Sequence, residues 1–462
     1  MTDAEQGTGP AARHRLVVRQ DPVYVRRRRA VLVGVVAFLV LALVVLLLWQ
    51  AGRDDPAQGA GGTPSSPVAD LDAPGATSAP EDEDGAEGSG QGEDEKESEN
   101  EAEPEEAAPW QRGEPTPAEH ASDTTAMEQV DYFVEGNPKS VVSSGHGLLI
   151  TNNMMYQNNS SIIDAQTHEV LTRLDDSLDL GEFGIEGHPG LSRGAPVEAV
   201  WTEDGRYAYV SQYSMTGPNF PREGFDDCVK ESGVDPSMVY RFDADEMAWD
   251  QVIQVGAVPK YLELTPDQST LLVSNWCDYT VSLVDTATGE ETGTLDVGRN
   301  PRGIVALPDN RTAIVTAMWN QQVWRLDLEE MTSEVVLETP PGPRHLNLSP
   351  DAETLYLVVA RADLVYKLDP DTMEILDEVV PGQEPRSMTM SPDGSALYVV
   401  NYDEATVSKI RTSDMEVIDK VDVDAFPIGI DYDPVTNTVW VACYGGGMYV
   451  FDDQSTLLED AA

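Results

Sequence analysis

The sequence predicts an all-β chain, a seven-bladed β-propeller, from a fixed repeat, the contents of that repeat and the way its two ends complement each other. VPKYLELTPDQSTLLVSN begins at Val258, NPRGIVALPDNRTAIVTA at Asn300, GPRHLNLSPDAETLYLVV at Gly342 and EPRSMTMSPDGSALYVVN at Glu384. The lead prolines Pro259, Pro301, Pro343, Pro385 and Pro427 stand 42 residues apart, and weaker copies at Pro138 and Pro196 make seven. A period near 40 with four short apolar runs per copy is the pattern of propeller blades.

The copy led by Pro385 shows the elements in order. Ser387 to Met390 reads as a strand, Ser391-Pro-Asp-Gly394 as a tight turn, and Ala396 to Asn401 as a second strand. A third runs from Thr406 to Ile410 and a fourth from Glu416 to Val423. Such a sheet has two apolar faces and can bury neither alone, so the copies must stack around an axis. After Pro427 only three strands remain: Gly429 to Tyr432, Thr438 to Cys443 and Gly447 to Phe451. Val130 to Glu135, ahead of the first copy, is the segment that can supply the fourth and close the ring without an open edge.

The order of proline, strand, SPDG turn and second strand, as in LYVVNYDEATVSKI (Leu397 to Ile410) and LLVSNWCDYTVSLVDTATGE (Leu271 to Glu290), resembles the YVTN-repeat β-propellers of bacteria and archaea. The resemblance covers Val130 to Phe451. It implies a surface or periplasmic protein and assigns no activity.

Residues 30–49 form an unbroken apolar run of the length a helix needs to cross a bilayer. Arg13, Arg15, Arg19 and Arg26 to Arg29 precede it, so residues 1–29 are expected to be a cytoplasmic basic tail, with the rest of the chain exported. A cleaved signal peptide is the rival reading; the run is long for one, and no small-x-small site follows at once. Residues 50–125, rich in Pro, Gly, Ser and Glu, are expected to be a disordered acidic tether, leaving 126–455 for the propeller. The formal net charge is −53, of which the tether holds roughly a third. An acidic propeller disfavours DNA or RNA as a partner.

Cys228 lies in an insertion of blade 2, Ser214 to Ser237, and Cys277 opens the equivalent loop of blade 3. Adjacent blades set these loops side by side, and export permits oxidation, so the two can form a disulfide. Cys443, at the end of an apolar strand, reads as a small buried residue. No Cys or His spacing suggests zinc or haem, and no cofactor is expected.

The residue after each lead proline belongs at the axial mouth of one face. These residues are Lys139, Val197, Lys260, Arg302, Arg344, Arg386 and Ile428, five of them basic in a chain with 82 acids and 29 bases. Seventeen positions after the proline come Tyr213, Trp276, Met318, Ala360, Tyr402 and Tyr444, with Trp319 following Met318. Cations beside aromatic rings suit an anionic or sugar-like ligand: forked donors for carboxylate or phosphate, flat faces for stacking. An equally simple role is pairing with acids on neighbouring inner strands, such as Glu198, Glu263 and Asp431, to hold the blades in register. The insertions Thr172 to Gly194 and Ser214 to Ser237 are expected to roof this face partly.

His345, beside Arg344, is the histidine placed for acid–base work. Asp267, Asp309, Asp351 and Asp393 recur because Asp caps hairpin turns on the opposite face. There is no GxSxG, HExxH or P-loop. Seven-bladed sugar-lactone hydrolases use Arg, His and Glu on one face, and Arg344, His345 and Glu198 could play those parts. The sequence therefore points to a monomeric, membrane-tethered binding or scaffold module for a small anion, a glycan or a protein. A lactonase-like hydrolase and a purely adhesive surface protein are the alternatives.

Overall fold

The computed structural model describes residues 110–115, 121–123, 126–154 and 157–453. The expected membrane helix at 30–49 and most of the tether lie outside them. Among the described residues, no helix is long and apolar enough to cross a membrane.

Seven four-stranded antiparallel sheets make the blades of a propeller. The innermost strands are Ser140–Ser143, Pro196–Trp201, Pro259–Leu264, Pro301–Ala306, Pro343–Leu348, Pro385–Met390 and Pro427–Asp433. Each packs against the next and the last against the first, so the ring is closed. Closure is made in blade 7, where Glu128–Val134 pairs with Gly447–Asp452, the outermost strand coming from the start of the domain. That strand begins two residues before the expected Val130.

Apolar side chains from facing sheets meet at every blade boundary, as in Leu148, Ile150, Trp201 and Phe242 between blades 1 and 2. At the closing seam, Val141 and Leu149 of blade 1 meet Trp440 and Met448 of blade 7. The period-2 alternation of each strand supplies both of its faces, one to each neighbouring blade.

The hairpin turns behave as their sequences dictate. Gly394 takes φ +71° and donates its amide to the Ser391 carbonyl, while the Asp393 carboxylate accepts from the Ser391 hydroxyl and the Ser395 amide. Asp267, Asp309 and Asp351 accept from backbone amides at the equivalent places.

Two expected boundaries are corrected. The tether does not run freely to Thr125, because residues 110–115 and Ala121–Asp123 lie on the hairpin-turn face. The Arg112 amide donates to the His146 carbonyl, the Trp110 ring packs beneath the Arg206 guanidinium at 5.0 Å, and the Ala121 amide donates to Asp393 at 3.0 Å. A lone Trp and small residues in an acidic, proline-rich stretch gave no periodic signal. The first insertion also starts later than Thr172, since Val170–Asp175 is the outer strand of blade 1. What is inserted is a small hairpin, Ser177–Asp179 with Leu191–Arg193, joined by an isolated bridge to Thr216 of the second insertion.

Candidate functional site

The backbone at each lead proline explains why cations gather at the axis. Val258, Asn300, Gly342, Glu384 and Phe426, each just before a proline, adopt positive φ between 50° and 91°. Their carbonyls accept from the amides of Trp276, Met318, Ala360, Tyr402 and Tyr444, which fixes the seventeen-residue partner beside the basic one. Immediately after the proline the ladder slips in blades 2 to 7. A bulge lets two successive side chains, rather than one, turn toward the axis. The next blade back then clasps this segment: the Ser211, Ser274 and Thr316 hydroxyls each donate at 2.9 Å to the carbonyls of Lys260, Arg302 and Arg344.

The result is an axial cavity of about 110 Å³. Arg302, Arg344 and Arg386 line it with Glu198, Tyr261, His345 and Asp431. With liquid water at about 30 Å³ per molecule, the space suits a ligand the size of a small oxyanion.

The cations differ in how they are satisfied. Glu198 accepts from Lys139 at 2.7 Å and from Arg302 at 3.0 Å, so one carboxylate serves two positive groups. Burial opposes its ionisation, yet the two partners prevail and hold it below the ordinary carboxylate range. Burial pulls the Lys139 ammonium down to about 7, against the attraction of Glu198. Lys260 is capped by Asp226 at 2.6 Å and sits 3.9 Å from the Tyr213 ring centroid and 5.3 Å from that of Trp276. Burial brings it down to about 8. Arg386 pairs with Glu384 and lies 3.8 Å over the Tyr402 ring.

Arg344 is different. It is buried and lines the cavity, its Nε makes no hydrogen bond, and among the described residues no carboxylate is paired with it. Burial, then the charges of Arg302 and Arg386, depress its pKa well below the ordinary value. An unpaired guanidinium in a cavity is a costly arrangement that an anion would relieve.

Beneath this layer, His345 accepts at Nδ1 from the Met388 amide at 3.4 Å, which leaves Nε2, 3.3 Å from the Tyr261 hydroxyl, as the nitrogen carrying the proton. Burial lowers its pKa to about 4, so it is neutral at pH 7. Glu263 is raised to about 8 and Asp431 to about 6, both by burial. Among the described residues neither meets a cation: Glu263 accepts from the Ala306 amide, and Asp431 from the Ser143 amide and the Thr389 hydroxyl.

Of the sequence-named residues, Arg302, Arg344, Arg386, His345 and Glu198 thus share the cavity, and Lys139 joins them through Glu198. None of the five sequence-named aromatic residues lines this cavity. Tyr213 and Trp276 flank Lys260, and Tyr402 supports Arg386. Tyr444, half-buried, is close enough to feel the Arg302 and Arg344 charges. Trp319 is 51% exposed and carries Arg361 at 4.7 Å, outside the cavity. Among the acids expected as partners, only Glu198 meets the ring; Asp226 and Glu384, which do so as well, carried no sequence signal because neither occupies an inner strand. Cys228 and Cys277 are joined by a disulfide with Cα atoms 5.5 Å apart, and Cys443 is buried and unbonded.

No family model and no curated protein matches this chain. Among solved structures, a chain of Kuenenia stuttgartiensis hydrazine synthase is similar with a TM-score of 0.51 and 16% identity, over 68% of this chain and 95% of that one. At that identity the likeness concerns the propeller fold alone.

Proposed function

We propose that this chain is a membrane-anchored, extracytoplasmic propeller of the YVTN-repeat type that binds a small anionic ligand in its axial cavity. The anchor and the outward orientation rest on the apolar run at 30–49 and the arginines before it. The ligand class rests on one observation: Arg344 is buried against the cavity with no carboxylate paired to it among the described residues. A carboxylate, sulfate or phosphate group supplies the missing partner, and the guanidinium fork can hold two of its oxygens. Arg302 and Arg386, which line the same cavity, add attraction.

Hydrolysis at the same cavity has less support. Glu198 is committed to two cations and held as a weakly basic carboxylate, so it is a poor general base for water beside His345. The binding reading is tested by calorimetric titration of the full-length chain with sulfate, alongside Arg344→Gln. Saturable binding that the substitution removes supports it, and binding that survives the substitution refutes it.

A further inference from the structure

The middle of the blade 2 insertion makes a contact with blade 3. Its segment Gly224 to Cys228 is seated on the entrance to blade 3 by several independent anchors. Gly224 lies so close to Val258 that a Cβ there would meet the Val258 side chain at 2.2 Å. The Trp276 indole donates to the Asp226 carbonyl at 3.0 Å, and Cys228 is bonded to Cys277. Cys228, Val258, Trp276 and Cys277 bury one another, with Tyr213 packed against them.

All of this holds a single carboxylate in place. The Asp226 side chain is 69% exposed, while the Lys260 side chain beneath it is only 4% exposed, with 2.6 Å between ammonium and carboxylate. Lys260 holds the same ring position as Arg302, Arg344 and Arg386, and the Arg302 charge acts on Asp226 in addition to that of Lys260, so Asp226 stands within electrostatic reach of that ring. Four of the five basic residues at this position, all but Arg344, are met by three carboxylates, Glu198, Asp226 and Glu384, and Asp226 alone of these comes from an insertion rather than from the repeat.

We propose that Asp226 is a tethered competitor, an autoinhibitory carboxylate that screens the axial anion site and sets how strongly it draws its ligand. This rests on the reading of the cavity as an anion site. The disulfide and the Trp276 bond keep the carboxylate over Lys260, and the solvent on its outer side lets it turn away when a stronger anion arrives. The field of an acidic group within reach of the cavity's cations opposes anion entry as well as residence.

The test is calorimetric titration of the full-length chain with sulfate at pH 7, comparing Asp226→Asn, Asp227→Asn and Arg344→Gln with the wild type. Asp226→Asn is expected to bind about tenfold tighter, as removal of one opposing charge at short range predicts. Asp227→Asn, its neighbour, is expected to bind as the wild type does, and Arg344→Gln not at all. Unchanged or weaker binding by Asp226→Asn, with Arg344→Gln still inactive, would overturn the competitor role and leave the anion site standing. An equal gain in Asp227→Asn would overturn it as well, by showing a diffuse charge effect. Absence of sulfate binding in every chain would overturn both readings.

Discussion

Two substitutions at one ring position should shift stability in opposite directions. Arg344→Met removes a buried cation with which no carboxylate is paired among the described residues and puts a shorter, unbranched apolar side chain in its place. Replacing buried charge by well-packed apolar groups often stabilises by 1–4 kcal/mol, and with no ion pair to lose the gain here should be about 2 kcal/mol. For a domain of this size that is a rise of ~3 °C in Tm. Arg302→Met instead deprives Glu198 of one of two partners and leaves a buried carboxylate underpaid by Lys139 alone. That should cost about 3 kcal/mol, a fall of ~4 °C. Thermal unfolding of the full-length chain followed by tryptophan fluorescence reads both. Sulfate then supplies a second comparison. At a hundredfold excess over Kd it should add about 2.7 kcal/mol to the wild type and nothing to Arg344→Met, so the order of their melting temperatures inverts. Should Arg344→Met melt as far below the wild type as Arg302→Met does, with no response to sulfate in either, Arg344 is a structural strut and the reasoning fails.

Sulfate keeps its charge between pH 6 and 9, so its affinity reports the protein's own groups. Because Lys260 gains its proton near 8 and Lys139 near 7, affinity should rise as pH falls from 9 to 6.5, and a flat calorimetric profile would contradict this. Glu263, raised to about 8, holds its proton in the folded state and loses it in the unfolded one, so its contribution is full below its unfolded pKa and vanishes as pH rises through 8. Glu263→Gln should therefore leave Tm unchanged near pH 5 and raise stability by about 3 kcal/mol at pH 9; equal effects at both values would refute it. Trp110→Ala removes a ring packed on blades 1 and 2 and under Arg206, and should cost about 2 kcal/mol by chemical denaturation, whereas a freely solvated tether would show no change.

The repeat made the fold legible because one chemical phrase encodes one blade. Proline fixes the start of the inner strand, Asp and Gly fix the hairpin, and alternating apolar residues fill the next boundary. The strands expected from Ala396 to Asn401 and from Thr438 to Cys443 are found at those residues. The ring of cations was legible for the same reason, since it occupies one place in the phrase. Their partners were not. Asp226 lies in an insertion with no periodic constraint, and Glu384 stands before its proline at positive φ. The same holds for Lys409, a mid-strand lysine in TVSKI that is fully buried and pairs with Asp453 at 2.6 Å, beyond the last strand. Contacts of this kind depend on where loops and ends fall in space, which local pattern does not encode.

The most direct test of the axial site is anomalous diffraction from crystals of this protein soaked in selenate, an analogue of sulfate whose selenium locates the anion. The account predicts a peak in the axial cavity within hydrogen-bonding reach of the Arg344 guanidinium, absent in Arg344→Gln. Selenate at surface lysines and arginines with none beside Arg344 would contradict it.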